Sequence, residues 1–258
     1  MVSITRLAVL LSAALPLLFL PTSAHAQSSQ PGRVELREGD RICLIGNAFA
    51  ERMQHHGWFE ARLQAAFPEM GLTVRNLGFS GDELTVRQRT AGFGTQDEWL
   101  TRCEADVILA CFGFNEAFTH EELSIKMRGS HQEPRSAARF RRELVELVEH
   151  LRGQRYNGES APRIVLVAPI AQESHDGGPP VSLEHRQFAL REAGSFMREV
   201  AAELGVGFID LFGPSRGLYR AQPDPLTING IHLTDRGCER MAGAIEACLV
   251  ENRLLDAD

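Results

Sequence analysis

The sequence predicts a three-layer α/β domain in which a five-stranded parallel sheet carries helices on both faces. Three observations lead there. From Arg41 onward the apolar runs are short, rich in β-branched residues and continuous rather than alternating, which is how strands buried on both faces read. Longer segments of helical period separate them, as the crossovers between parallel strands require. Unusual polar residues stand directly after several of the runs, and in doubly wound sheets ligands bind at the carboxyl ends of the strands.

The chain opens with a different kind of segment. Arg6 gives a short positive start, Leu7 to Leu20 is an uncharged apolar run, and Ala24-His25-Ala26 is a small-x-small cleavage pattern. This reads as a secretory signal peptide spanning residues 1–26, so export to the periplasm or the extracellular space is expected. The run of fourteen residues, interrupted by Pro16, falls short of the roughly 20 needed to span a bilayer. No later segment is long and apolar enough, so no membrane span is expected once the signal is removed. A Gln/Ser-rich start at residues 27–30 opens a lead-in of residues 27–39, and residues 40–258 form the domain.

Within that domain the strand candidates are Arg41 to Gly46, Leu72 to Phe79, Ala105 to Gly113, Pro162 to Ile170 and Val206 to Leu211. Phe140, Leu144, Leu147, Val148 and Leu151 mark one amphipathic helix. Leu190, Ala193, Met197, Val200, Ala201 and Leu204 mark another. A last helix follows Thr234, with Cys238, Met241, Ala242, Ile245 and Leu249 facing inward. The stretch from Thr119 to Pro134, with mixed charges, reads as a solvated surface loop, with a lid or insertion as the other reading.

Charge and cysteine content exclude some functions. The formal charge is −7, and −8 once Arg6 leaves with the signal. Without a Lys/Arg cluster, the chain lacks the footprint of a nucleic-acid binder. Five cysteines are an odd number with no framework spacing. Cys238 and Cys248 lie on one predicted helix about 15 Å apart along its axis, too far to bridge. Cys43 and Cys111 sit in buried runs as small hydrophobes. No cysteine is assigned a chemical role. Glu51, His55 and His56 lack a His-Glu-x-x-His pattern and read as solvated helix surface. No motif names a metal or an organic cofactor.

Four segments at strand ends or in loops carry the remaining polar residues: Gly46-Asn47, Ser80-Gly81-Asp82, Gly113-Phe114-Asn115-Glu116 and Asn229-Gly230-Ile231-His232. Singly, each has an ordinary explanation: Asn47 as a helix N-cap, Ser80-Gly81-Asp82 as turn chemistry, Asn115 as a loop tie, His232 as a structural histidine. In this order, from Asp40 to about Leu249, they resemble the SGNH or GDSL-type hydrolase family. The resemblance implies a flavodoxin-like α/β/α fold. It also implies that Gly81 and the Asn115 amide are oxyanion donors and His232 a catalytic base.

The departures from that pattern bear on function. Where the family has its nucleophilic serine, this sequence has Asn47 or, shifting the alignment by one residue, Ala48. Asn47 is preferred, because the strand then ends at Gly46. Asn229 stands where the triad aspartate belongs. A carboxamide is not a competent nucleophile in acyl transfer, and an amide in place of the acid weakens the base. What survives is the oxyanion hole and ligand binding, which in serine hydrolases still provide roughly 10³ to 10⁴ over water.

The sequence therefore points to an exported protein with an esterase-type cleft for a small-molecule ester or acylated carbohydrate, weakly active or inactive. Two alternatives stay open: a short-chain ester hydrolase using His232 with a displaced nucleophile or an activated water, and an envelope scaffold using the fold alone. Ser80 as the displaced nucleophile requires a geometry unlike the family's. Oligomeric state is not legible in the sequence.

Overall fold

Side chains of β1 (Arg41–Gly46) alternate between two apolar layers. Ile42 and Leu44 enter one, Cys43 and Ile45 the other, following the period of two that a strand imposes. In the computed structural model, which describes residues 31, 32, 34–117, 137–175 and 183–254, the same division holds for β3 (Val107–Cys111) and β4 (Arg163–Val167). With β2 (Thr73–Asn76) and β5 (Gly207–Ile209) they form a five-stranded sheet of order β2-β1-β3-β4-β5. All of its pairings are parallel. The expected fold class is observed.

One layer is made by α1 (Ala48–Met53), α2 (Trp58–Ala66) and the C-terminal helix, through Met53, Phe59, Leu63, Met241, Ala242, Ile245 and Leu249. The other is made by α3 (Gln96–Arg102), α4 (Ala137–Arg152) and α5 (Leu183–Leu204), whose buried residues include Leu100, Phe140, Leu144, Leu151, Met197 and Val200. A further helix, α6 (Phe212–Ala221), follows β5, and the C-terminal helix, α7 (Asp235–Leu254), closes the chain. Side-chain caps start α1 and α3. At α3 the Thr95 hydroxyl accepts from Glu98 N–H at 3.2 Å, and the Glu98 carboxylate accepts from Thr95 N–H at 2.6 Å, a capping box.

The strands after β1 are shorter than their apolar runs. Leu77, Phe112, Ala168, Ile170 and Leu211 all lie beyond the ladders yet are buried or packed on the core. Hydrophobicity reports burial and not backbone pairing, so it overruns the strand ends. Two bonds continue the β1–β2 edge past the ladder, Leu77 N–H to Leu44 O and Phe79 N–H to Gly46 O, both 2.8 Å.

Part of the lead-in belongs to this architecture. Gly32 N–H donates to Val206 O at 2.8 Å and forms a parallel bridge with Gly207. Val34 is buried against Gly207, where a Cβ would lie 2.4 Å from its Cγ2. None of the five cysteines is in a disulfide. No described helix is long and apolar enough to cross a membrane. The expected signal peptide, the Gln/Ser-rich start and the Thr119–Pro134 stretch lie outside the described residues.

Candidate active site

The strand order reverses between β1 and β3, and the candidate residues gather at the carboxyl ends around that switch point, where such sheets open a crevice. Gly46 ends β1 at φ +132°, and a Cβ there would sit 2.1 Å from Cys111 O. Only glycine lets β1 and β3 approach so closely. Asn47 follows, 4% exposed. Its N–H donates to Cys111 O at 3.2 Å and its Oδ1 accepts from Phe49 N–H at 3.1 Å, so it caps α1. Ala48 is the first residue of that helix, and its N–H has no partner among the described residues.

The turn after β2 is tied to the same helix. The Asn76 amide donates to Ala50 O at 2.6 Å and accepts from Gly78 N–H at 2.9 Å. Ser80 donates both its N–H, at 3.1 Å, and its hydroxyl to the Glu51 carboxylate. This corrects the expectation that Glu51 is merely solvated helix surface: it reaches the neighbouring turn because Gly78 brings that turn against α1, where a Cβ would lie 2.5 Å from Glu51 N. His55 is exposed, and His56 Nδ1 is 3.0 Å from Asp235 Oδ1. Gly81 adopts φ +87°, and its N–H has no partner among the described residues.

After β3, the buried Glu116 bridges two turns, accepting from Gly113 N–H at 2.9 Å and Leu84 N–H at 2.7 Å. Asn115 is thereby held against the second turn, donating one amide hydrogen to Asp82 O at 3.0 Å. Its second amide hydrogen remains for a ligand. Beneath it Asp82 and Arg87 face each other at 4.0 Å. Burial raises the Asp82 carboxyl and lowers the Arg87 guanidinium from their ordinary values, each partly opposed by the other's charge.

The histidine loop is pinned by Glu173, itself buried after β4. Its carboxylate accepts from Leu226 N–H at 3.0 Å, Thr227 N–H at 2.7 Å and the Thr227 hydroxyl at 2.6 Å. The Thr227 hydroxyl in turn accepts from Gly230 N–H at 2.9 Å. Asn229 Oδ1 accepts from the N–H groups of Ile231 and His232 at 3.3 and 3.0 Å. The same side chain meets the imidazole: Nδ2 is 3.0 Å and Oδ1 3.1 Å from His232 Nδ1. Burial, then the nearby Arg52 guanidinium, lower the His232 pKa, with Glu51 opposing. The Arg52 guanidinium is fixed by bonds to Leu233 O at 3.1 and 3.3 Å.

These segments enclose a cavity of about 400 Å³, whose walls include Asn47, Ala48, Gly81, Asn115 and His232. Asn229 stands behind His232. The remaining wall is largely apolar, with Phe49, Phe112, Phe114, Val167 and Ile170. Cys111 also lines it, but burial pushes its thiol up to about 12, and such a thiol is no nucleophile at neutral pH. Among the described residues, no three His, Cys, Asp or Glu side chains are placed to hold a metal. Sequence reasoning missed Glu173, the bridging role of Glu116 and the pairing of Glu51 with Ser80. All three act through backbone N–H groups or distant turns, and the one signal available was an acidic residue at the end of an apolar run.

No curated protein matches the chain. Among solved structures, a catalytic mutant of an acetylxylan esterase from Geobacillus stearothermophilus superposes with a TM-score of 0.62 at 17% identity, covering 84% of this chain and 96% of that one. LAE5, an α/β hydrolase from the metagenome of Lake Arreo, gives 0.59 at 20% identity, covering 83% and 98%. BT4096, a gut microbial diltiazem-metabolizing enzyme, gives 0.58 at 19% identity, covering 86% of this chain but 49% of that one. At these identities the likeness is one of fold. The sequence profile of the GDSL-like lipase/acylhydrolase family, however, matches residues 46–240, spanning all four strand-end segments, and this chain belongs to that family.

Proposed function

We propose that this protein is an exported ester-binding member of its family, one that holds an ester or acylated-carbohydrate ligand in an esterase-type cleft and turns it over slowly or not at all. The observation that carries the reading is that residues 47 and 48, at the mouth of α1 on the cavity wall, offer no hydroxyl. An acyl-enzyme has no oxygen there to form on. Binding capacity is supported by the Gly81 N–H, the Asn115 amide and an apolar wall. Export rests on the signal pattern of residues 1–26, and the acetylxylan esterase neighbour makes acetylated sugars the first probes to try.

The test pairs reactivity with binding. The mature protein is expected to resist fluorophosphonate labelling, to hydrolyse p-nitrophenyl acetate little above a His232→Ala control, and to gain thermal stability with acetylated xylo-oligosaccharides. Stoichiometric labelling would overturn this reading. It would favour a second one, supported by the Ser80 hydroxyl donating to the Glu51 carboxylate at the rim of the same cavity: Ser80 as a displaced nucleophile with Glu51 receiving its proton. Labelling that maps to Ser80 and disappears in Glu51→Gln is the signature of that alternative.

A further inference from the structure

We infer that Asn229 is a positioning residue that fixes His232 as the neutral tautomer protonated at Nε2, so that the imidazole meets a ligand as a hydrogen-bond donor and not as a base. The inference rests on the cleft being the ligand site proposed above and adds what the histidine does there.

The argument starts from the Asn229 amide. Its Oδ1 accepts two backbone hydrogens, from Ile231 at 3.3 Å and His232 at 3.0 Å. Reversing the amide would set its NH₂ against both donors, so the oxygen is held toward the backbone. The nitrogen then faces the ring, 3.0 Å from Nδ1. An amide nitrogen only donates, so Nδ1 accepts with its lone pair. In a neutral imidazole the proton is then on Nε2. Nδ1–H donating to Oδ1 at 3.1 Å is the competing arrangement. It adds a third donor to an oxygen already serving two and sets Nδ1–H against the Asn229 NH₂. An aspartate does the opposite: its carboxylate accepts from Nδ1–H and leaves the Nε2 lone pair free to take a proton.

The consequence is a group of three donors on the wall of a cleft that is also lined by Glu83, Gln88, Arg52 and Arg186. No described residue hydrogen-bonds Nε2, and the Gly81 N–H and the second Asn115 amide hydrogen belong to the same wall. The group that suits them carries lone pairs and no hydrogen: an acyl oxygen, in an ester carbonyl or in a carboxylate. A lowered His232 pKa keeps the ring neutral and supports the assignment.

Long-range ¹H–¹⁵N correlation of the imidazole rings at neutral pH, with His232 assigned by its loss in His232→Gln, reads the tautomer directly. The wild type is expected to show a protonated Nε2 and an unprotonated Nδ1, and Asn229→Asp to reverse the pattern. A wild type protonated at Nδ1 would overturn the inference whatever the cleft binds. A folded Asn229→Asp protein still protonated at Nε2 would show that Asn229 does not set the tautomer. Titration with acetate and with methyl acetate separates the two sources of acyl oxygen. Movement of the Nε2 resonance with either supports the donor role, and no movement with both removes it. Fluorophosphonate labelling of a protein whose His232 carries its proton on Nε2 would sink the proposed function and leave this inference standing.

Discussion

A single amide nitrogen at Asn229 decides what His232 can do, and residue-scale changes should expose that in two ways. The first is pH dependence. The folded His232 pKa lies below the ordinary value of about 6.5 because of burial and Arg52. As pH falls through about 6.5 the unfolded chain takes up a proton that the folded chain refuses, so stability declines until the folded pKa is passed. The wild type should therefore lose more Tm than His232→Gln between pH 7.5 and the acid side of that window. Asn229→Asp, which lets the ring donate to a carboxylate, should reverse the sign. The second is restoration of activity. Asn47 Oδ1 is engaged as the cap of α1, and a serine there would use its hydroxyl the same way. Ala48 has no such duty, and this moves the preference from Asn47, as read in the sequence, to Ala48. Ala48→Ser with Asn229→Asp should raise p-nitrophenyl acetate hydrolysis about 10²-fold or more over either single change, since nucleophile and oriented base act as a unit. Asn47→Ser with Asn229→Asp should do less. The opposite ranking would place the reacting position at residue 47.

At the scale of elements, the site depends on turns stitched to one another by buried carboxylates. Glu173→Gln exchanges an acceptor of three hydrogen bonds for a group that must present NH₂ to one of its donors, leaving buried polar atoms unsatisfied at about 1–3 kcal/mol. Ligand binding should weaken with it, because the same carboxylate anchors the loop that carries His232. Chemical denaturation and ligand-induced thermal shifts, compared with the wild type, check both effects. Gly46→Ala should be worse, with a Cβ 2.1 Å from a carbonyl oxygen at a positive φ, costing upwards of about 2–3 kcal/mol. These ties explain what could and could not be read in advance. The positions of Asn47, Gly81, Asn115 and His232 were legible because each follows an apolar run or sits in a recognisable motif. Glu173 was not, nor was the bridging role of Glu116, because a carboxylate that serves backbone N–H groups leaves no pattern at its partners. Glu51 was misread for the same reason: helical spacing places it on a surface, and only the approach of the Gly78 turn gives that surface a neighbour.

For the whole molecule, the five parallel strands and the amphipathic helices α4, α5 and α7 were legible, since burial writes itself as apolar runs and helical stripes, whereas α2, α3 and α6 were not picked out. The strand ends were not legible either, because the runs continue into the buried loops that build the cleft. Export, an expectation of the opening residues, predicts that protein recovered from the extracytoplasmic fraction of a secreting host begins at Gln27 by N-terminal sequencing. A cytoplasmic product retaining Arg6 would count against it. The link between Gly32 and β5 has a consequence for colloidal behaviour. β5 is a border strand of the sheet, and an uncovered border offers unpaired N–H and C=O groups as a template for another chain. One backbone rung from Gly32, backed by the buried Val34, blunts that template. A chain starting at residue 40 should therefore fold around the same core yet self-associate with rising concentration, whereas one starting at residue 27 stays dispersed. Light scattering across a dilution series distinguishes the two, and equal dispersity of both chains would show that the border needs no such guard.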